Sequence, residues 1–200
     1  MTHLNRNLGA LIGSRICHDL ISPVGAISNG LELLGLAGVP DGPELALVAD
    51  SAANANARLR FFRVAFGLSS EAQSMTAREI RAILGDVYTA KMHCDWQVEG
   101  PLPRRMAQAA FLAILCAEQA APFGGTVTIT GSEARLRVAA TGGRLAPQEA
   151  HWAWLTGDAP GDVDTLPAAQ VQFALLPDLL SQMGRRAELS LGADEAALEF

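Results

Sequence analysis

A histidine and an aspartate stand side by side at His18 and Asp19, in a segment whose apolar residues recur every three or four positions. That spacing predicts a long α-helix with one apolar stripe. The stripe consists of Leu8, Ile12, Ile16, Leu20, Val24, Ile27, Leu31 and Leu34. At about 100° per residue, His18 lies roughly 200° from Ile16 and Leu20 and should therefore point into solvent. An exposed imidazole beside a carboxylate can exchange a chemical group with a partner.

Residues 18–23 read His-Asp-Leu-Ile-Ser-Pro. This pattern resembles the phosphoacceptor box of two-component histidine kinases, where a histidine, an acidic residue and a leucine are followed two positions later by proline. The alternative interpretation is a surface histidine, with Ser22 as N-cap and Pro23 opening a second helix. The apolar stripe passes through Pro23 without losing phase, which favours one bent helix over two.

The resemblance implies that His18 accepts a phosphoryl group. Asp19 could accept the imidazole N–H and keep the attacking nitrogen unprotonated, or it could be a solvated surface acid. Arg15 and Ser22 lie within one helical turn of His18 and could contact the phosphoryl group or a receiver, although a solvated polar face explains both equally well. Pro23 cannot donate to the carbonyl of Asp19, so the helix should bend there, either to set a docking angle or as a tolerated kink.

Composition excludes several classes of protein. The chain has 200 residues, 50% of them hydrophobic, and a net charge of −6, which gives no electrostatic footprint for nucleic acid. No apolar run approaches the roughly 18 residues of a membrane span, and no signal peptide is recognised. Three cysteines without framework spacing predict reduced thiols and a cytoplasmic location. The pairs Cys17-His18 and His93-Cys94 lack chelating spacing, so no metal site is predicted.

The chain is expected to divide near residue 70. Residues 1–70 predict two helices joined by a turn at 36–43, the second running from Glu44 to Gly67. Because a helical hairpin alone leaves apolar stripes in water, two copies should pair into a four-helix bundle, with both copies of His18 outside. Residues 71–200 predict an α+β sandwich with helices on one face of a mostly antiparallel sheet. Its predicted helices span 76–90, 102–121 and 166–183, and its strands 94–99, 126–130, 134–140, 186–191 and 196–200.

The order of these elements resembles the catalytic ATP-binding domain of histidine kinases, but the residues that hold nucleotide in that family are missing. Residues 112–117 read Leu-Ala-Ile-Leu-Cys-Ala where the family has asparagines, one of them expected to bind Mg²⁺. Ala140 stands where an aspartate contacts adenine, and Gln170 and Gln172 replace glycines that approach the phosphates. The resemblance therefore implies a degenerate ATPase domain with no cofactor of its own. Trp152 and Trp154 could form a docking edge or, more commonly for aromatics, cap a core.

A phosphoacceptor helix joined to a degenerate ATPase domain is similar to the ChpT-type histidine phosphotransferases. That family implies a homodimer which shuttles phosphoryl groups through His18 between receiver-domain aspartates. The donor would be the receiver of a hybrid histidine kinase, the acceptors would be response regulators, and the receiver's acidic pocket would supply Mg²⁺. Two alternatives are an ATP-dependent histidine kinase and a non-catalytic dimeric scaffold or regulator of two-component signalling.

Overall fold

A computed structural model describes residues 3–38, 42–69, 72–89, 91–157 and 166–200. The chain divides into two units, Met1–Leu68 and Ser69–Phe200. In its described residues the first unit is helical, whereas the second combines helices with strands. The prediction of an α+β protein is confirmed.

The first unit is a helical hairpin. Helix α1 spans His3–Leu36, helix α2 spans Pro43–Ala65, and the two pack against each other. Helix α1 continues through Pro23, which confirms one helix rather than two. Part of the turn predicted at 36–43 lies outside the described residues.

Helix α1 carries two apolar faces, whereas the periodicity predicted one stripe. Cys17 is buried, and the side chains in phase with it are half-buried within the hairpin: Ile21, Val24, Ser28 and Leu31. A second face stays between 44% and 52% exposed and comprises Ile16, Leu20, Ile27 and Leu34. We call this set the outer apolar face. Because successive residues turn by about 100°, it lies roughly opposite His18 around the helix.

The second unit begins with a short strand and a capped helix. Thr76 caps helix α3 in a capping box: its hydroxyl accepts from the Glu79 N–H at 3.2 Å, and its own N–H donates to Glu79 Oε2 at 2.7 Å. The helices of this unit are α3 (Ala77–Val87), α4 (Arg104–Ala120), α5 (Glu149–Thr156) and α6 (Gln172–Gln182). The strands are β1 (Ser74–Met75), β2 (Met92–Trp96), β3 (Leu102–Pro103), β4 (Gly125–Ser132), β5 (Arg135–Thr141), β6 (Glu188–Leu191) and β7 (Glu195–Glu199).

The larger sheet is mostly antiparallel, as predicted. Its order is β2-β4-β5-β7-β6, with only the β2–β4 pair parallel, and β1 pairs with β3 in a separate ladder. Helix α4, buried along most of its length, packs on β4, β5 and β7 and against α6. The turn that leads into β4 requires glycine at Gly124, because φ there is +102° and a Cβ would lie 2.4 Å from the Lys91 carbonyl oxygen.

The sheet face away from α4 is polar. Arg135 and Arg137 alternate with buried side chains along β5 and form ion pairs with carboxylates on β6 and β7. Arg135 bridges Glu188 at 2.7 Å and Glu199 at 2.8 Å, two carboxylates that stand directly opposite each other in the ladder. These arginines therefore relieve like-charge repulsion across the strands.

Several predicted boundaries shift, and one helix was missed. The helix predicted over 166–183 is a 3₁₀ turn at Ala168–Gln170 followed by α6, while residues 158–165 lie outside the described part of the chain. The strand predicted over 94–99 occupies Met92–Trp96 instead. Helix α5 buries Trp152, which confirms the core interpretation for that residue, and leaves Trp154 half-buried.

Candidate functional site

His18 and Asp19 form an exposed pair on α1. The His18 side chain is 86% exposed, and its Nδ1 lies 3.1 Å from Asp19 Oδ1. A carboxylate can only accept a hydrogen bond, so we assign the proton to Nδ1. The lone pair of the neutral ring then resides on Nε2, which is the nitrogen available for attack. The predicted exposure of His18 is thus present in the structure.

Arg15 contacts the other oxygen of the same carboxylate. Its Nε donates to Asp19 Oδ2 at 2.6 Å, one helical turn away. Hydrogen bonds from Arg15 and then from His18 lower the pKa of the Asp19 carboxyl. Asp19 is therefore ionised near neutral pH and can accept a hydrogen bond from the histidine.

Ser22 and Pro23 lie exposed about one turn beyond His18. Within the described residues the Ser22 hydroxyl has no hydrogen-bond partner, whereas Ser28 and Ser51 each donate to the carbonyl four positions earlier. Pro23 has no N–H, so the Asp19 carbonyl lacks its usual helical donor. The Ser22 hydroxyl is therefore open to a partner beside His18.

Cys17 precedes His18, and the sequence did not indicate that its side chain is buried. Its side chain is buried in the hairpin, and burial raises the pKa of its thiol. It points away from His18, since adjacent helical residues diverge by about 100°. Among the described residues no cluster of three or more histidine, cysteine or acidic side chains could hold a metal ion. The described helices also include none long and apolar enough to cross a membrane.

Comparisons with known proteins identify the family. Residues 77–195, more than half of the chain, match the family described as "Histidine phosphotransferase C-terminal domain". The chain belongs to this family. The protein phosphotransferase ChpT of Brucella abortus (strain 2308) is 32% identical over an alignment of 196 residues, which covers 94% of this chain and 92% of that protein. A solved bacterial phosphotransferase aligns with a TM-score of 0.70 and 26% identity, covering 100% of this chain and 97% of the other. The prediction of a histidine phosphotransferase acting in a phosphorelay is confirmed.

The region matched to the family is the second unit, whose sequence departs from an ATP-binding pattern. Cys116 is fully buried on α4, and burial raises the pKa of its thiol well above the ordinary range. Ala140 is buried on β5, and the Gln172 side chain is buried at the start of α6. Gln170 has a buried Oε1 with no hydrogen-bond partner among the described residues. Three of these four positions, Cys116, Ala140 and Gln172, are therefore occupied by buried side chains.

Proposed function

We propose that His18 carries a phosphoryl group on Nε2 between aspartates of partner receiver domains. The donor is the receiver of a hybrid histidine kinase, and the acceptors are receivers of response regulators. The observation that supports this most is the pairing of an exposed imidazole with a carboxylate at its Nδ1, 3.1 Å away. This arrangement leaves the other nitrogen both unprotonated and accessible to a second protein.

Both transfers balance without a proton leaving the site. Nε2 of His18 attacks the phosphorus of an aspartyl phosphate, the P–O bond breaks, and its electron pair departs with the donor carboxylate. The ring becomes positively charged, and the Asp19 carboxylate that accepts its Nδ1–H stabilises this charge. In the second transfer a carboxylate oxygen of the acceptor attacks phosphorus, and the N–P electron pair returns to Nε2. Because Nδ1 keeps its proton throughout, the histidine departs as neutral imidazole, a better leaving group than its anion.

The residues around His18 complete this proposal. Ser22, whose hydroxyl is open, donates to a phosphoryl oxygen or a bridging water, and Pro23 shapes the surface on which a receiver docks. Arg15 contributes positive charge beside the transferred group. Phosphoryl transfer depends mainly on positioning and charge neutralisation, and the receiver's acidic pocket supplies the Mg²⁺. This chain needs no cofactor of its own.

The two units have separate roles in the proposal. Residues 1–70 form the dimerisation and phosphoacceptor hairpin, and residues 71–200 form a degenerate kinase-like ATPase domain without a nucleotide site. The buried alanine, thiol and glutamine at the former ligand positions support the second assignment. Free thiols at Cys17, Cys94 and Cys116 support a cytoplasmic location.

The hairpin pairs with a second copy into a four-helix bundle. Its outer apolar face would otherwise leave four half-exposed aliphatic side chains in water along one line of α1. Since this face lies opposite His18, pairing through it leaves both histidines accessible to receivers. Burial of the outer apolar face therefore supports the homodimer and its orientation.

Transfer of labelled phosphate from a phosphorylated receiver tests the proposal. Wild type should acquire acid-labile label only when the receiver is present, His18→Ala should acquire none, and the matched surface variant His93→Ala should behave as wild type. Label from ATP alone would instead identify a histidine kinase. No label from any receiver of the organism would leave a dimeric scaffold.

A further inference from the structure

We propose that Arg15 is a positioning residue, which orients the Asp19 carboxylate so that one of its oxygens faces Nδ1 of His18. The inference deepens the proposed function and depends on it. It assigns to Arg15 a role exerted through Asp19, in addition to any charge that it presents to the phosphoryl group.

The geometry divides the two carboxylate oxygens between two donors. Oδ2 accepts from Arg15 Nε at 2.6 Å, and Oδ1 lies 3.1 Å from His18 Nδ1. Asp19 is 49% exposed, so water competes for both oxygens. The Arg15 Nε–H holds Oδ2, which leaves Oδ1 as the oxygen that faces the histidine. Two contacts thus link Arg15 through Asp19 to His18 along the helix surface.

Helix stability does not account for the Arg15–Asp19 pair. Both side chains are exposed, at 77% and 49%, and exposed ion pairs contribute little to folding. The order is also the weaker one for a helix, since the base precedes the acid by four residues. The Arg15–Asp19 ion pair thus contributes little to stability, yet Asp19 contacts His18. We therefore explain the pair by the chemistry of that histidine.

Positioning has a defined chemical consequence. A carboxylate fixed at Nδ1 selects the tautomer with its proton on that nitrogen and leaves the Nε2 electron pair free to attack phosphorus. It also faces the positive ring after the N–P bond has formed. If Asp19 rotates away, part of the neutral histidine population carries its proton on Nε2 and cannot attack. Loss of Arg15 should therefore lower the fraction of reactive tautomer rather than only weaken phosphate contact.

The test combines a tautomer measurement with a double-mutant cycle. Long-range ¹H–¹⁵N NMR of the neutral His18 ring reports which nitrogen holds the proton, and single-turnover transfer from a phosphorylated receiver gives the rate. Arg15→Ala should shift part of the population to the Nε2–H tautomer and slow transfer about five- to tenfold, the size of coupling between neighbouring groups. Arg15→Lys should recover only part of the rate, because the donors of an ammonium on a flexible stem rotate, whereas the Nε–H of arginine has a fixed direction.

In an Asp19→Asn background, Arg15→Ala should have no further effect on the rate. Arg58→Ala is the matched control, since Arg58 makes a similar exposed contact four residues away, to Asn54 on α2. The positioning role would be overturned if Arg15→Ala left the tautomer populations unchanged, or if it slowed transfer equally in the wild-type and Asp19→Asn backgrounds. Direct contact between Arg15 and the phosphoryl group would then remain. Failure of the proposed function is distinguishable, because wild type would then accept no label from any receiver, or His18→Ala would still accept it.

Discussion

Ile27→Ala should weaken the proposed dimer about thirty-fold. Ile27 lies on the outer apolar face of α1 and is 51% exposed in the single chain. Complete burial of an isoleucine contributes about 1.5–3 kcal/mol, so covering its exposed half contributes about 1 kcal/mol. A twofold axis brings two copies into one interface, and the loss of about 2 kcal/mol corresponds to about thirty-fold in Kd. Alanine favours helix, so the hairpin itself should stay folded.

Sedimentation equilibrium of the full chain over a concentration series measures this Kd directly. Leu34→Ala, on the same face, should have a comparable effect. Leu191→Ala is the control: Leu191 is 41% exposed but lies on β6 in the second unit. A Kd that Ile27→Ala leaves unchanged, or that Leu191→Ala raises equally, would refute the assignment of the outer apolar face. A wild-type chain that is monomeric at every concentration would refute the dimer itself.

Three further predictions concern the helix, the carboxylate and the thiols. Pro23→Ala supplies an N–H for the carbonyl of Asp19 and should raise the free energy of unfolding by about 1–3 kcal/mol in urea denaturation, while altered receiver docking slows transfer. Because hydrogen bonds from Arg15 and His18 lower the pKa of Asp19, the midpoint of its titration should lie below the ordinary value of about 3.9, and Arg15→Ala should raise the midpoint seen by ¹³C NMR. Burial raises the pKa of Cys94 to about 12 and that of Cys17 above its ordinary value. Iodoacetamide at pH 8 should therefore label the native chain far more slowly than the urea-unfolded chain, and equal rates would contradict the burial of these thiols.

Strong periodicity made most of the fold predictable. Helices α1 and α4 are long, so several turns repeat the same apolar spacing, and the alternation in β4 and β5 is bounded by a glycine turn that only glycine can form. Helix α5 was missed because its eight residues bury only Trp152 and Leu155, a spacing that occurs once and defines no period. Strands β1 and β3 contain two residues each, too few for any alternation.

The exposure of His18 was predictable, but the contacts around it were not. Helical phase alone placed His18 in solvent, and its neighbour Asp19 within reach. The contact of Arg15 was not determined, because a spacing of four residues permits an ion pair with Asp19 as readily as a contact with a bound phosphate. Periodicity likewise marked Val24 and Ile27 as apolar without indicating that Val24 is half-buried in the hairpin while Ile27 stays 51% exposed. Which neighbour an apolar side chain meets depends on tertiary packing, which the spacing along one helix does not contain.

The most direct test of the central claim is to locate the phosphate on the phosphorylated protein. Transfer from a phosphorylated receiver to ¹⁵N-histidine-labelled chain, followed by ³¹P and ¹⁵N NMR, identifies both the residue and the ring nitrogen that bears phosphorus. We expect one phosphohistidine, at His18, with the phosphorus bonded to Nε2 and the proton retained on Nδ1. Phosphorus on Nδ1, on another residue, or on no residue of this chain would contradict the account.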